Sequence, residues 1–600
     1  MTRTRRSIAQ ALLERDAFQA ALAELAPRSG LSLDAARRRA MHCLLEMICV
    51  HEPFFGFLLD RGVGTLHTRP WSFDIDWSAL DRLRRDHPGT SLVFLPTHRS
   101  YADAFVLMRA LLSHRLPPTH ILGGDNLRFF PLGTIGKRAG IIFIRRSFRE
   151  DEIYKLALRR YMHHLIESGA SLEWYMEGGR SRTGKLRAPQ YGLLRYLVDA
   201  LAEAPGRDVL LVPVSITYDH LGEVRTIVAE DAGAAKPKEG PGWLVKYLAA
   251  QGERQGEAHV RFGAPLSLRE AMPTLGTEGA HRALDRIAFE VFQRINRVTP
   301  VTATALVTLA LLGVDGRTLS LHDVHGVLQP LLDYATARGL PAASLDRLRA
   351  PDGVERVLDR LVRRGLVDRS DNGSGAAYRI QPGQHAAAAY YRNSAVHWFV
   401  NRAILELGIM VAIRAGDGDA LARGLDTARS WRDRLKFEFF FSDKSTFDEE
   451  IASEGRLLDP DIGFVVSGRM MPASLLERSP FLIAHRILPP FLDAYRILAE
   501  RLAVQSTDTA VDRKALLADC LGFLRQQALE RKVPHPEAAS REILANGLAL
   551  ADHRGLLVPG DASLAERRRQ FAAELAEAVG ALAEIAALDA RLRPARRAAS

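Results

Sequence analysis

Apolar positions recur at helical spacing from residue 7 to residue 60, interrupted at Ala-Pro-Arg-Ser-Gly, 26–30. This predicts a helical N-terminal segment over 1–70. HEPFFGF, 51–57, reads as a helix-end turn whose phenylalanines enter the core. From Trp71 the pattern changes to short continuous apolar runs: SLVFL (91–95), HIL (120–122), GIIFI (140–144), SLEWYM (171–176) and VLLVPVSITY (209–218). Helical patterns such as DEIYKLALRRYMHHLIES, 151–168, separate them, and HVRFGAPLSL, 259–268, supplies a last strand. Strands alternating with helices predict an α/β domain over 71–300, a central mixed sheet flanked by helices. Chemistry in such folds is expected at strand ends and in the loops that follow.

Beyond residue 300 the spacing is mostly helical, which predicts a large helical domain over 301–585 and a basic tail, 586–600, without fixed structure. The stretch 354–380 has the helix-then-hairpin look of a winged helix, with DNGSG as its turn. It lacks a separate basic recognition segment, so nucleic acid is not read as a partner. The longest apolar stretches, 298–314 and 395–413, are too short or interrupted by Asn401, Arg402 and Glu406, and no membrane span is predicted. The N-terminus carries charge without an uninterrupted apolar core, so no signal peptide is read.

Composition adds three points. With 47% hydrophobic and 25% charged residues among 600, the bulk of the chain is globular. Its three cysteines, Cys43, Cys49 and Cys520, form neither a CxxC pair nor a metal-ligand spacing. The formal charge is +10, and His98–Arg195 alone holds 17 Lys or Arg against 8 Asp or Glu. That segment is built to meet anions.

Four clusters end apolar runs there. HRSYAD, His98–Asp103, follows the first. Ser100 and Asp103 have capping-box spacing, and His98 and Asp103 also suit a general base with its orienter. Arg145 and Arg146 follow GIIFI; EGGRSRTGK, 177–185, follows SLEWYM; Pro213 and Ser215 lie inside the fourth run. Gly179–Lys185 satisfies GxxxxGK, but Leu186 stands where a P-loop needs Ser or Thr. The better reading is a glycine-permitted turn that brings Arg180, Arg182 and Lys185 onto a phosphate, with Glu177 holding the loop by pairing with one of the Arg. Trp174 and Tyr175 read as packing. No GxSxG or cysteine nucleophile accompanies these clusters, and no metal set is visible. The remaining chemistry is proton removal from a hydroxyl of a phosphorylated substrate.

These blocks resemble, in order, those of the glycerol-3-phosphate acyltransferases of the wider glycerolipid acyltransferase superfamily: HRSYAD, GIIFIRR, EGGRSR and LVPVSITYD. KPKEG, 236–240, and YYRNSAVHWF, 390–399, resemble segments of the long bacterial and mitochondrial forms. The resemblance implies that His98 is the base, oriented by Asp103. It implies a glycerol-phosphate site at Arg99, Arg145, Arg146, Glu177, Gly178, Gly179, Arg180, Ser181 and Arg182, and an acyl-donor or structural block at Pro213 and Ser215. The implied substrates are glycerol 3-phosphate and an acyl thioester on CoA or acyl carrier protein, with no further cofactor and no metal. The implied location is the cytoplasmic face of the membrane, as a peripheral protein on phospholipid. The alternatives are transfer to dihydroxyacetone phosphate or a lysophospholipid, and a non-catalytic lipid-binding protein.

Overall fold

The computed structural model describes residues 4–127, 132–148, 150–235, 242, 254–272, 280–314, 316–371, 375–415, 420–460, 472–530, 532, 534–561 and 563–599. KPKEG, 236–240, lies outside them. The chain divides into two compact units. The first comprises Met1–Arg180, Arg187–Gly222 and Lys236–Thr299; the second comprises Ser181–Leu186, Glu223–Ala235 and Pro300–Ser600.

The first unit is built on an eight-stranded sheet: β1 (Trp71–Ile75), β2 (Ser91–Pro96), β3 (His120–Gly124), β4 (Ile141–Ile144), β5 (Leu172–Glu173), β6 (Val209–Tyr218), β7 (Gly256–Phe262) and β8 (Leu266–Ser267). Its order is β1-β7-β6-β2-β5-β3-β4, with β8 also on β6. Pairing is parallel except where β7 and β8 meet β6, so the sheet is mixed as expected. Every residue of β2 and β6 is buried, which is why both read as unbroken apolar runs rather than alternating ones. The edge strand β1, WSFDI, has too mixed a pattern to stand out in sequence. SLEWYM yields only two ladder residues before the chain leaves the sheet.

The N-terminal helices α1 (Arg5–Leu13), α2 (Asp16–Arg28) and α3 (Leu33–Met47) belong to this unit rather than standing apart. They pack on the helix Glu152–Glu167, with Arg15 paired to Glu167 at 2.7 Å and Arg39 to Asp151 at 3.0 Å. Between α3 and β1, residues Pro53–Thr68 form one continuous helical stretch: α4 (Pro53–Phe57), a π-helical segment (Leu58–Gly64) and α5 (Thr65–Thr68). Its phenylalanines are not core residues, for Phe54 and Phe57 are 68% and 63% exposed. The sequence pattern missed this because an outward-facing apolar stripe has the same spacing as an inward-facing one.

An ion cluster around buried His259 ties β1 to β7 and to the residue after β6. His259 places Nδ1 2.9 Å from Asp74 and Nε2 3.2 Å from Asp219, and Arg261 also pairs with Asp74. The two carboxylates hold the His259 pKa above the usual imidazole value against its burial. Asp219, Glu257 and His259 also bring one donor atom each within 4.8 Å, an arrangement not anticipated from sequence. Both His259 nitrogens face carboxylates, which favour its protonated form.

The second unit is mostly helical. The helix Gly353–Arg363 and the antiparallel strands Val367–Asp371 and Ala376–Ile380 confirm the helix-then-hairpin pattern, with Leu319–Ser320 as a third strand. In the helix Val400–Ala415, the polar interruptions of an apolar run pair with each other: Arg402 and Glu406 lie 2.9 Å apart, both fully buried. Glu406 also accepts from the Ile483 and Ala484 N–H groups. The last helix runs Ser563–Ala599, through the tail for which no structure was expected. Ala, Arg and Leu are strong helix formers, and basic residues at a helix C-terminus favour its dipole. Among the described residues no helix is long and apolar enough to cross a membrane.

Two stability measurements check this account. Arg402→Ala is expected to cost about 3–5 kcal/mol in urea unfolding, because Glu406 would stay buried without its counter-ion, whereas a paired apolar replacement of both is expected to cost far less. The raised pKa of His259 means that its stabilisation is complete below the unfolded value of 6.5 and fades as pH climbs through the folded value. His259→Gln is therefore expected to flatten the fall of the melting temperature as pH rises above the unfolded value of 6.5.

Candidate active site

The parallel strands deliver their C-terminal loops to one edge of the sheet. After β2, Thr97 prolongs the pairing with β6: its N–H reaches Val214 O at 2.9 Å, and its hydroxyl bridges Ile216 O and Ile216 N. The chain then turns through His98–Ala102 into α7 (Asp103–Ser113). The expected capping box does not form, since Ala102 is the N-cap and no side chain caps the helix. Asp103 is itself the first helical residue, and its carboxylate folds back over the loop.

That carboxylate is fully buried. Oδ2 accepts from Arg99 N at 2.6 Å and Ser100 N at 2.8 Å and lies 3.0 Å from His98 Nδ1. Oδ1 accepts from the Tyr218 hydroxyl at 2.6 Å. With Nδ1–H committed to the carboxylate, His98 carries its lone pair on Nε2, the tautomer a general base requires. The His98 side chain is 22% exposed, while Asp103 beneath it is closed to water.

Two residues of this arrangement were not picked out from sequence. Tyr218, at the end of β6, is the second support of Asp103; its ring also packs on Trp71 with centroids 5.0 Å apart. Tyr175, expected only to pack, lays its ring against His98 with centroids 4.3 Å apart. The Tyr175 hydroxyl donates to Glu173 Oε1 at 3.1 Å, and Thr119 reaches Glu173 Oε2 at 3.3 Å. Burial pushes the Glu173 carboxyl up to about 8, so this acid is largely protonated at neutral pH. A tyrosine or an acid inside a strand gives no sequence signal for such a role, because the partner comes from another loop.

Glu177 binds loop to loop through backbone rather than by pairing with a loop arginine: Oε1 accepts from His98 N at 2.8 Å and Oε2 from Arg187 N at 3.1 Å. Burial raises its pKa, and the nearby Arg99 guanidinium opposes that. Gly178 sits at φ +65°, and a Cβ there would lie 2.6 Å from Gln190 Cγ, so the turn needs glycine. Arg180 places its guanidinium 4.1 Å over the Tyr101 ring, on the HRSYAD loop. Arg146 is exposed after β4, near Gly124 at the end of β3.

Other expected site residues have different employment. Arg145 is a structural ion: it pairs with Glu46 at 2.7 Å and Asp151 at 3.0 Å and stacks over Tyr154. The hexapeptide Ser181–Leu186 belongs to the second unit, and Arg182 with it. Ser181 is fully buried and shapes its own turn, donating to Lys185 O and accepting from Gly184 N. Lys185 is a buried ion partner of Glu438, flanked by Phe439 and Phe491, and not a phosphate ligand. Gly184 lies at φ +86°, where a Cβ would fall 1.9 Å from Tyr390 O, and Asn393 donates to Thr183 O at 2.8 Å. The GxxxxGK spacing thus serves backbone packing. Pro213 and Ser215 are strand residues: Pro213 stands opposite Leu95, and Ser215 accepts from Thr299 at 2.8 Å.

A partly exposed His98 over a buried Asp103, before a helix at the C-terminal edge of a mixed sheet and beside an arginine loop, fits one class: an acyltransferase domain. Residues 75–217 match the family described as Acyltransferase, and residues 228–560 match the Glycerol-3-phosphate acyltransferase C-terminal region. The chain belongs to the glycerol-3-phosphate acyltransferase family. It is 39% identical over 588 residues to a Mycobacterium tuberculosis protein that carries the provisional name acyltransferase plsB1, covering 96% of this chain and 94% of that one. It is 31% identical over 412 residues to a Glycerol-3-phosphate acyltransferase of Histophilus somni, covering 66% of this chain and 50% of the other. A solved structure, the 1-acyl-sn-glycerophosphate acyltransferase PlsC of Thermotoga maritima, is 15% identical over 48% of this chain and 97% of its own, with a TM-score of 0.24.

Glu173 gives this site a pH signature of its own. Its folded pKa of about 8 lies above the usual 4.5, so it weighs against the fold increasingly as pH rises from the lower value toward the higher. Glu173→Gln is expected to raise the melting temperature at neutral pH and to leave it nearly unchanged near pH of about 4, as thermal melts across that range would record.

Proposed function

We propose that the protein transfers a fatty acyl group from an acyl thioester, on CoA or acyl carrier protein, to the sn-1 hydroxyl of glycerol 3-phosphate. The observation that carries this reading is the hydrogen-bonded chain Tyr218–Asp103–His98, with Arg180 over the neighbouring Tyr101. His98 Nε2 takes the hydroxyl proton as the alkoxide oxygen attacks the thioester carbonyl. Asp103 stabilises the imidazolium that forms. Collapse of the tetrahedral adduct breaks the C–S bond, and the departing thiolate takes the proton back, leaving 1-acyl-glycerol 3-phosphate and free thiol.

Arg146 and Arg180, projecting from loops after β4 and β5, hold the phosphate dianion by charge-assisted hydrogen bonds. Arg99 lies buried beside Glu177 and stiffens the loop. Tyr218 acts through Asp103, and Tyr175 holds the imidazole face. The reaction needs neither metal nor cofactor beyond the acyl thioester. An amphiphilic product and an acyl donor place the work on the cytoplasmic surface of the membrane, with the protein bound peripherally.

The test is acyl transfer from radiolabelled palmitoyl-CoA to glycerol 3-phosphate by purified protein with phospholipid. His98→Ala is expected to lower kcat by roughly 10²- to 10⁴-fold. Arg180→Ala is expected to raise KM for glycerol 3-phosphate, roughly ten- to a hundredfold, from loss of about 1.5–3 kcal/mol of charged hydrogen bonding. Tyr218→Phe is expected to lower kcat with KM unchanged. Activity with dihydroxyacetone phosphate or a lysophospholipid, and none with glycerol 3-phosphate, would reassign the acceptor. A folded protein inactive with all of them, from both donors, would sink the enzymatic reading.

A further inference from the structure

Among the described residues, four of the twelve exposed large apolar side chains fall within thirteen positions: Phe54 (68%), Phe57 (63%), Leu58 (37%) and Leu66 (52%). They share one face of the Pro53–Thr68 helix. Phe54, Phe57, Leu58 and exposed Arg61 follow the i, i+3, i+4, i+7 spacing of an α-helical stripe. The next outward residue, Leu66, comes five positions after Arg61, which is one turn of the intervening π-segment, where Thr65 N bonds Asp60 O. The wide turn keeps the stripe continuous to exposed Arg69.

The opposite face is fixed to the candidate site. Gly64 packs closely enough on α7 that a Cβ would touch Phe105 and Met108, and the His67 ring lies 4.6 Å from that of Phe105. The helix α7 starts at Asp103, so this stripe rides on the element that carries the buried carboxylate. The charge around it is asymmetric. Arg138 lies 4.7 Å over Phe55, and Glu52 and Asp60 already face Arg138, Arg61 and Arg109 at 3.6–3.9 Å. Exposed Arg69, at the end of the stripe, adds to the cationic side.

We infer that this stripe is the membrane-docking element: Phe54, Phe57, Leu58 and Leu66 enter the interfacial region of an anionic bilayer, and Arg61, Arg69 and Arg138 meet its phosphates. Aromatic and leucine side chains rimmed by arginines are what an interfacial helix requires, the apolar residues supplying depth and the cations selecting anionic lipid. The inference rests on the acyltransferase reading for why a bilayer is met at all, but vesicle binding is scored without turnover.

The experiment is cosedimentation of the full chain with vesicles of phosphatidylcholine alone or mixed with phosphatidylglycerol. Wild type is expected to bind the mixed vesicles, less so at high salt. Phe54→Ser with Phe57→Ser is expected to weaken binding roughly tenfold or more, with the melting curve retained. Arg61→Glu with Arg69→Glu is expected to abolish the preference for phosphatidylglycerol. With a short, water-soluble acyl-CoA and no lipid, the phenylalanine variant should match wild type. Vesicle binding unchanged in both variants overturns the inference, as does light scattering that shows a wild-type dimer split by the phenylalanine substitutions while vesicles still bind. Vesicle binding through this stripe by a protein inactive toward every acceptor would uphold the docking and dismiss the acyltransferase reading.

Discussion

The arrangement around the sheet edge depends on satisfying one carboxylate where no water reaches it. Asp103 is fully buried, and a buried polar group is costly unless its hydrogen bonds are made. Here its two oxygens collect the Arg99 and Ser100 N–H groups, His98 Nδ1 and the Tyr218 hydroxyl. Its place at the first turn of α7 adds the favourable end of the helix dipole. Each donor belongs to a different constraint. The loop N–H groups need the turn after β2, the hydroxyl needs β6 beside β2, and the imidazole needs Glu177 to hold the His98 N–H. Loss of any one leaves a buried polar atom to be solvated by something else.

The same economy explains the surroundings. Glu177 joins the β2 loop to the loop after β5 by accepting from two backbone N–H groups with one buried carboxylate, so the arginine-bearing turn is registered against the imidazole. Glu173 is kept neutral by burial and anchors Tyr175 against the imidazole face. Burial raises the pKa of both Glu173 and Glu177, because environment as well as residue type sets the charge.

Chemistry-bearing spacing did not by itself decide which partner a side chain takes. GxxxxGK, read as a phosphate turn, places Gly184 against Tyr390 and Lys185 against Glu438. Arg145 neighbours Arg146 in sequence but pairs with Glu46 and Asp151. Ser100 and Asp103 have capping spacing, yet the helix begins at the acid, and its carboxylate serves the loop instead. Arg402 and Glu406 interrupt an apolar run and prove to be each other's counter-ions inside the core.

What the sequence determined by itself was whatever depends on local periodicity or on residues close in the chain. The buried strands β2 and β6, the helical second unit, the hairpin after Gly353–Arg363, and the His98–Asp103 pair with its flanking arginine loop were all legible from spacing. Tertiary structure alone decided that Tyr218 and Tyr175 complete the site, that the N-terminal helices join the sheet unit, and that Phe54 and Phe57 face outward. The reason is physical: periodicity reports which residues share a face, but what covers that face, and which hydroxyl reaches a buried carboxylate, is set by strands brought together from more than a hundred residues apart, as Tyr218 is to Asp103.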